Sequence, residues 1–123
     1  MKQILIVEDK ANSRELLRTV LEQQGYSVVE AGDGEEALQR IRQAAPDLVF
    51  LDLQIPIRDG YEVLKVIRAD HRFTNLPVVA LTASAMQGDR EKALAAGFTG
   101  YMAKPVGPAQ LRDEVNRLLG TSR

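Results

Sequence analysis

Four short apolar runs in this chain are each followed by residues able to do chemistry. Glu8 and Asp9 follow residues 4–7, Asp52 follows residues 47–51, Thr82 follows residues 77–81 and Lys104 follows residues 98–103. Carboxylates gathered at one place repel one another and cannot all stay ionised without compensation. A hard divalent cation supplies it, and Mg²⁺ suits a site with few carboxylates, several retained waters and a phosphate oxygen. Lys104 brings a second positive group, which can pair with Asp52 or with a phosphoryl group. Thr82 can donate a hydrogen bond to a phosphoryl oxygen. Asp52 stands in the middle of the set and is the natural nucleophile, forming an acyl phosphate. Metal, lysine and threonine would then balance the charge on the group in transfer.

These residues share a site only if the fold brings the ends of the runs to one rim. The runs Ile4-Leu5-Ile6-Val7, Leu48-Val49-Phe50-Leu51 and Val78-Val79-Ala80-Leu81 are apolar without alternation, as strands covered on both faces are. Residues 26–30 and 98–103 are more mixed and are assigned to the sheet edges. Between the runs lie helical patterns. The first has Leu16, Leu17, Val20 and Leu21 on one face, Asn12 and Ser13 as caps, and Gly25 as a left-handed stop. The second carries Ala37, Leu38 and Ile41 after the turn Gly32-Asp33-Gly34, and the third carries Val63, Leu64 and Ile67. A fourth is expected over residues 86–96, with Gly97 as its stop, and the last is lined by Leu111, Val115, Leu118 and Leu119. Strands alternating with helices on short links give right-handed crossovers and a parallel sheet. With those edges the expected architecture is α/β, a flavodoxin-like doubly wound (βα)5 fold with strand order 2-1-3-4-5. Ligands of such sheets bind beyond the carboxyl ends of the strands, where the five residues converge.

The bulk numbers narrow the function classes. A chain of 123 residues is expected to form one domain, residues 1–123. Its 45% hydrophobic and 27% charged content is that of a globular protein, and a net charge of −1 offers no field for direct nucleic-acid binding. The absence of cysteine removes disulfides and thiol chemistry. The first apolar run is too short for a signal-peptide core or a membrane span, so no membrane insertion and a cytoplasmic location are expected. His71, the only histidine, sits among Asp70, Arg72 and Asn75 and reads as a surface residue. Asp33 and Asp59 precede glycines and read as turn formers.

Over essentially its whole length the chain resembles the response-regulator receiver domains of two-component systems. The resemblance rests on Ile4 to Asp9, Asp52 with Pro56 and Asp59-Gly60, Leu81-Thr82-Ala83, and Lys104-Pro105. It implies that Glu8, Asp9, Asp52 and the main-chain carbonyl of Gln54 hold Mg²⁺, and that Thr82 and Lys104 contact the phosphoryl group. It also implies that Tyr101 changes rotamer with Thr82, and that a cis bond precedes Pro105. Glu8 stands where aspartate is more usual, Ile55 and Arg58 stand where methionine is frequent, and Gln54 and Ser84 lie where dephosphorylation is tuned.

The expected function is a phosphoacceptor switch in a phosphorelay, not a turnover enzyme. A histidine kinase or histidine phosphotransfer protein would phosphorylate Asp52. The fourth helix, thinly anchored by Met86, Ala93, Leu94 and Ala96, would shift, and Tyr101 would turn inward. With about one helix after Lys104 and Met1 adjoining the first strand, output is expected through a protein target on the face of the fourth helix, fifth strand and fifth helix. The alternative is a receiver-like interaction module not regulated by phosphorylation. A haloacid-dehalogenase-type phosphohydrolase would carry its nucleophile after the first strand, and a flavodoxin needs glycines and hydroxyls where Glu8 and Asp9 stand.

Overall fold

The computed structural model describes residues 2–83 and 86–120. Strand β1 (Gln3–Val7) leads to α1 (Ala11–Gln23), β2 (Ser27–Ala31) to α2 (Gly34–Ala44), and β3 (Leu48–Asp52) to α3 (Gly60–Ala69). After a 3₁₀ turn (His71–Phe73), β4 (Val78–Thr82) leads to α4 (Asp89–Ala96) and β5 (Gly100–Ala103) to α5 (Pro108–Leu119). The strands form one parallel sheet in the order β2-β1-β3-β4-β5, which is the expected topology. The central strands β3 and β4 are buried along their whole length, while β2 and β5 are partly exposed, as edges are.

Successive strand residues face opposite sides of the sheet, and two cores follow. Leu5, Val7, Val49, Leu51, Val78 and Ala80 join the side chains of α2, α3 and α4. Ile4, Ile6, Leu48, Phe50, Val79 and Leu81 join those of α1 and α5. Continuing each alternation past the apolar run carries Glu8 and Asp52 toward the α1 and α5 side. It carries Thr82 toward the α4 side, where Tyr101 also packs.

Helix ends account for most departures from expectation. Asp33 and Asp59 are helix caps, accepting from Glu36 N–H and Glu62 N–H. Asn12 and Ser13 do not cap α1; it starts at Ala11 with Lys10 as a cap lacking any side-chain bond. Leu16 is 56% exposed, off the buried stripe of Leu17, Val20 and Leu21. The fourth helix begins at Asp89 and not at 86, because Gly88 takes a left-handed φ of 90° that a continuing helix excludes. Met86 is 73% exposed and anchors nothing, and Ala93 is the one buried residue of α4. Gly25 and Gly97 do take the left-handed conformation of helix stops, and the Lys104–Pro105 bond is cis.

Candidate functional site

The carboxyl edge of the sheet assembles the site from strand ends. Asp52 and Thr82 are the last residues of the two central strands, paired with Leu81 and Ala103 in the parallel register. Both are nearly buried, at 5% and 4% exposure. Glu8 follows β1 with no exposed surface at all, and Asp9 lies exposed beside it. Oxygens of Glu8, Asp9 and Asp52 lie within 4.8 Å of one another.

Lys104 is the counter-charge. Its backbone N–H donates to the Thr82 carbonyl at 2.8 Å, continuing the β5 ladder by one residue. Its ammonium reaches Asp52 Oδ2 at 2.5 Å and also binds Glu8 Oε2. The remaining Asp52 oxygen accepts the Gln54 N–H at 2.8 Å, and Glu8 Oε1 accepts the Lys10 N–H at 3.3 Å. Burial raises the Glu8 carboxyl above its ordinary value; Lys104 pulls it back down and Asp52 pushes it up, leaving it raised. Burial pulls the Lys104 ammonium down, but its bonds to Asp52 and Glu8 outweigh that and hold it above its ordinary value.

Three carboxylates facing one ammonium leave two negative charges in excess, in a set made only of hard oxygens. That donor chemistry fits Mg²⁺. Next to the site, on the α3–α4 side, lies a groove lined by Leu53, Gln54, Asp59, Tyr61, Thr82 and Met86. Gln54 is exposed at its mouth; Ser84 lies outside the described residues.

Tyr101, the expected switch residue, has a buried hydroxyl with no hydrogen-bond partner among the described residues. Burial, then the charges of Asp89 and Tyr61, raise its pKa. His71 is exposed on its 3₁₀ turn at the opposite end of the sheet, as read from the sequence.

Two supporting residues escaped the sequence reading. Arg14 donates to the Glu8 carbonyl at 2.6 Å and pairs with Glu30 at 3.0 Å, tying β1 to β2 beside the site. Its signal was Glu30 itself, an acid within an edge strand that requires a cation. Arg68 is half-buried and donates to the carbonyls of Phe73, Leu76 and Gly97 and to the Thr99 hydroxyl. It clamps the far end of α4 to α3, and nothing in a surface-like helical arginine announces that.

Residues 4–116 match the response regulator receiver domain family. The chain is 35% identical over 119 residues to the polar-differentiation response regulator DivK of Brucella anthropi, covering 97% of each chain. Its structure resembles the chemotaxis response regulator CheY4 of Vibrio cholerae, with a TM-score of 0.90 at 30% identity, covering 96% of this chain and 98% of that one. It also resembles the receiver domain of the sensor histidine kinase PA1611 of Pseudomonas aeruginosa, with a TM-score of 0.89 at 36% identity and coverage of 97% and 98%. That structure holds a magnesium ion coordinated in its active-site cleft.

Proposed function

Because the chain belongs to the response regulator receiver family, the phosphoacceptor domains of two-component signalling, we propose that it is a Mg²⁺-dependent switch phosphorylated on Asp52. The observation that carries this reading is the Asp52 carboxylate itself. It is almost buried at a strand end, oriented by Gln54 N–H and Lys104, and crowded by Glu8 and Asp9.

A phosphohistidine of a histidine kinase or phosphotransfer protein is the proposed donor. Transfer breaks its P–N bond and forms a P–O bond to an Asp52 carboxylate oxygen, while the P–N electron pair returns to the imidazole. Glu8, Asp9, Asp52 and the Gln54 main-chain carbonyl would hold Mg²⁺, which supplies Lewis-acid charge balance for the phosphoryl oxygens. Lys104 already stands against Asp52 and needs only a small movement to follow the new charge. Thr82 contributes a hydroxyl from the end of β4. Water later cleaves the acyl phosphate, so the chain resets itself and turns over no separate substrate.

The reading extends to the whole chain as one receiver domain, acting in the cytoplasm. No described helix is long and apolar enough to cross a membrane. A protein target is proposed on the α4–β5–α5 face, because α4 is thinly held and Tyr101 lies beneath it.

Intact-mass measurement after incubation with acetyl phosphate tests the proposal. A phosphate adduct should form with Mg²⁺, and should vanish with chelator or in Asp52→Asn. Absence of an adduct from acetyl phosphate and from a purified kinase, together with no response to beryllofluoride, would favour the phosphorylation-independent module.

A further inference from the structure

The loop joining β3 to α3 holds a shape that its own sequence resists. Arg58 N–H donates to the Pro56 carbonyl at 2.8 Å, closing a three-residue γ-turn around Ile57. Ile57 has a φ of 73°, a region disfavoured for β-branched residues, and this form of γ-turn is rare and strained. Its side chain is 73% exposed, so burial does not compensate for the strain. A strained conformation persists only where its surroundings over-determine it.

Those surroundings are the first turn of α2. Gly34 N–H donates at 3.2 Å to the Pro56 carbonyl, the same oxygen that closes the γ-turn. The Arg58 backbone passes so near that a Cβ on Gly34 would lie 2.6 Å from the Arg58 carbonyl oxygen and 2.6 Å from its Cβ. Glu35, the next residue of α2, pairs with the Arg58 guanidinium at 3.5 Å. At its other end the loop is fixed to the reacting residue. Gly60 N–H donates to the Leu53 carbonyl at 3.0 Å, and Gln54 N–H donates to Asp52 at 2.8 Å. Gly34 is not among the glycines with positive φ. Its missing side chain serves close approach alone.

Resting on the receiver reading of Asp52 and Gln54, we propose that the start of α2 is a latch that sets the shape of the phosphoacceptor loop. Gly34 is its positioning residue. Through Pro56 and Arg58 it fixes the segment from Asp52 to Gln54, and with it the carbonyl offered to a bound cation. The latch reaches the site from a helix that supplies none of the reacting groups.

Gly34→Ala tests this, because alanine favours the helix that carries it while its Cβ displaces the Arg58 backbone. Mg²⁺ binding is titrated calorimetrically, unfolding is followed by heat, and acetyl-phosphate phosphorylation is followed by mass across a Mg²⁺ series. The expected result is a Mg²⁺ Kd raised about tenfold, the scale of loss when residues supporting metal ligands are changed. The half-saturating Mg²⁺ for phosphorylation should rise in step, with the rate recovering at saturating Mg²⁺. In the metal-free protein the Gln54 amide resonance should shift. A folded Gly34→Ala whose Mg²⁺ Kd stays within about twofold of the parent's overturns the latch, whatever its melting temperature. If Gly34→Ala does not fold, Arg58→Ala removes the exposed pair with Glu35. It should weaken Mg²⁺ binding about threefold, the scale of an exposed ion pair, and an unchanged Kd there overturns the proposal. Failure of the parent protein to be phosphorylated on Asp52 would instead strike the receiver reading beneath it.

Discussion

Glu8 and Asp52 share the ammonium of Lys104 while Asp9 faces solvent, so the metal-free site keeps more negative charge than it can neutralise. Removing one buried carboxylate should relieve it. Glu8→Gln is expected to raise the metal-free stability, since the folded state holds the Glu8 carboxyl above its ordinary value, and to shrink the stabilisation that Mg²⁺ confers, both read from thermal unfolding with and without the ion. Thr82→Ala should still accept a phosphoryl group but lose much of the change on the α4 face. A variant that gives the full beryllofluoride-induced spectral change would remove Thr82 from the mechanism. Away from the site, Asp70 accepts hydrogen bonds from the Arg72 side chain and backbone and is held down to about 2 from 3.8. A depressed carboxyl contributes stability that is present above its unfolded value and lost as pH falls through the folded one. Asp70→Asn should therefore flatten the acid-side decline of the melting temperature between pH 3.8 and about 2. At this scale the reacting residues were legible, because each ends an apolar run. Arg14, Arg68 and Gly34 were not: Arg68 and Gly34 act mainly on backbone of other elements, and only Glu30 hinted at Arg14.

Helix α4 is held by little: one buried alanine, the Lys92 ammonium over the Tyr61 ring, and the edge contact of Tyr61 with Phe98 that follows it. Its amides should exchange by local opening about 2 kcal/mol or more below the global unfolding free energy, measurable by native-state hydrogen exchange. The two ends of α4 differ. The first turn is held by hydrogen bonds local to it, such as Met86 N–H to Asp89 and Lys92 N–H to Gly88, while Arg68 fixes the last through two bonds to the Gly97 carbonyl. Arg68→Met should cost about 2 kcal/mol, since it strands several carbonyls, and should raise exchange at Gly97 and Phe98 before any change near Asp52. The length of α4 was misjudged from the sequence because Met86 extends the apolar pattern. Gly88 was the contrary signal, a left-handed residue inside the supposed helix.

The whole molecule is a sheet in which β1, β3, β4 and β5 carry their chemistry to one edge. Its order was readable from strand composition, because the double burial of β3 and β4 leaves no room for polar residues, whereas β2 and β5 are more mixed and partly exposed. The finer shape of the edge was not readable. It depends on the γ-turn at Ile57 and on which side chains the ammonium of Lys104 selects. That ammonium also sets how the molecule behaves in changing surroundings. Lys104 is 20% exposed, and its partners Glu8 and Asp52 are 0% and 6% exposed, so the pairs are largely sheltered from a screening salt. Surface pairs fade as salt rises, but sheltered ones are screened much less. The link between the third and fifth strands should thus hold through swings in internal ionic strength. Raising monovalent salt should accordingly weaken this link far less than it weakens the exposed pair of Arg58 with Glu35.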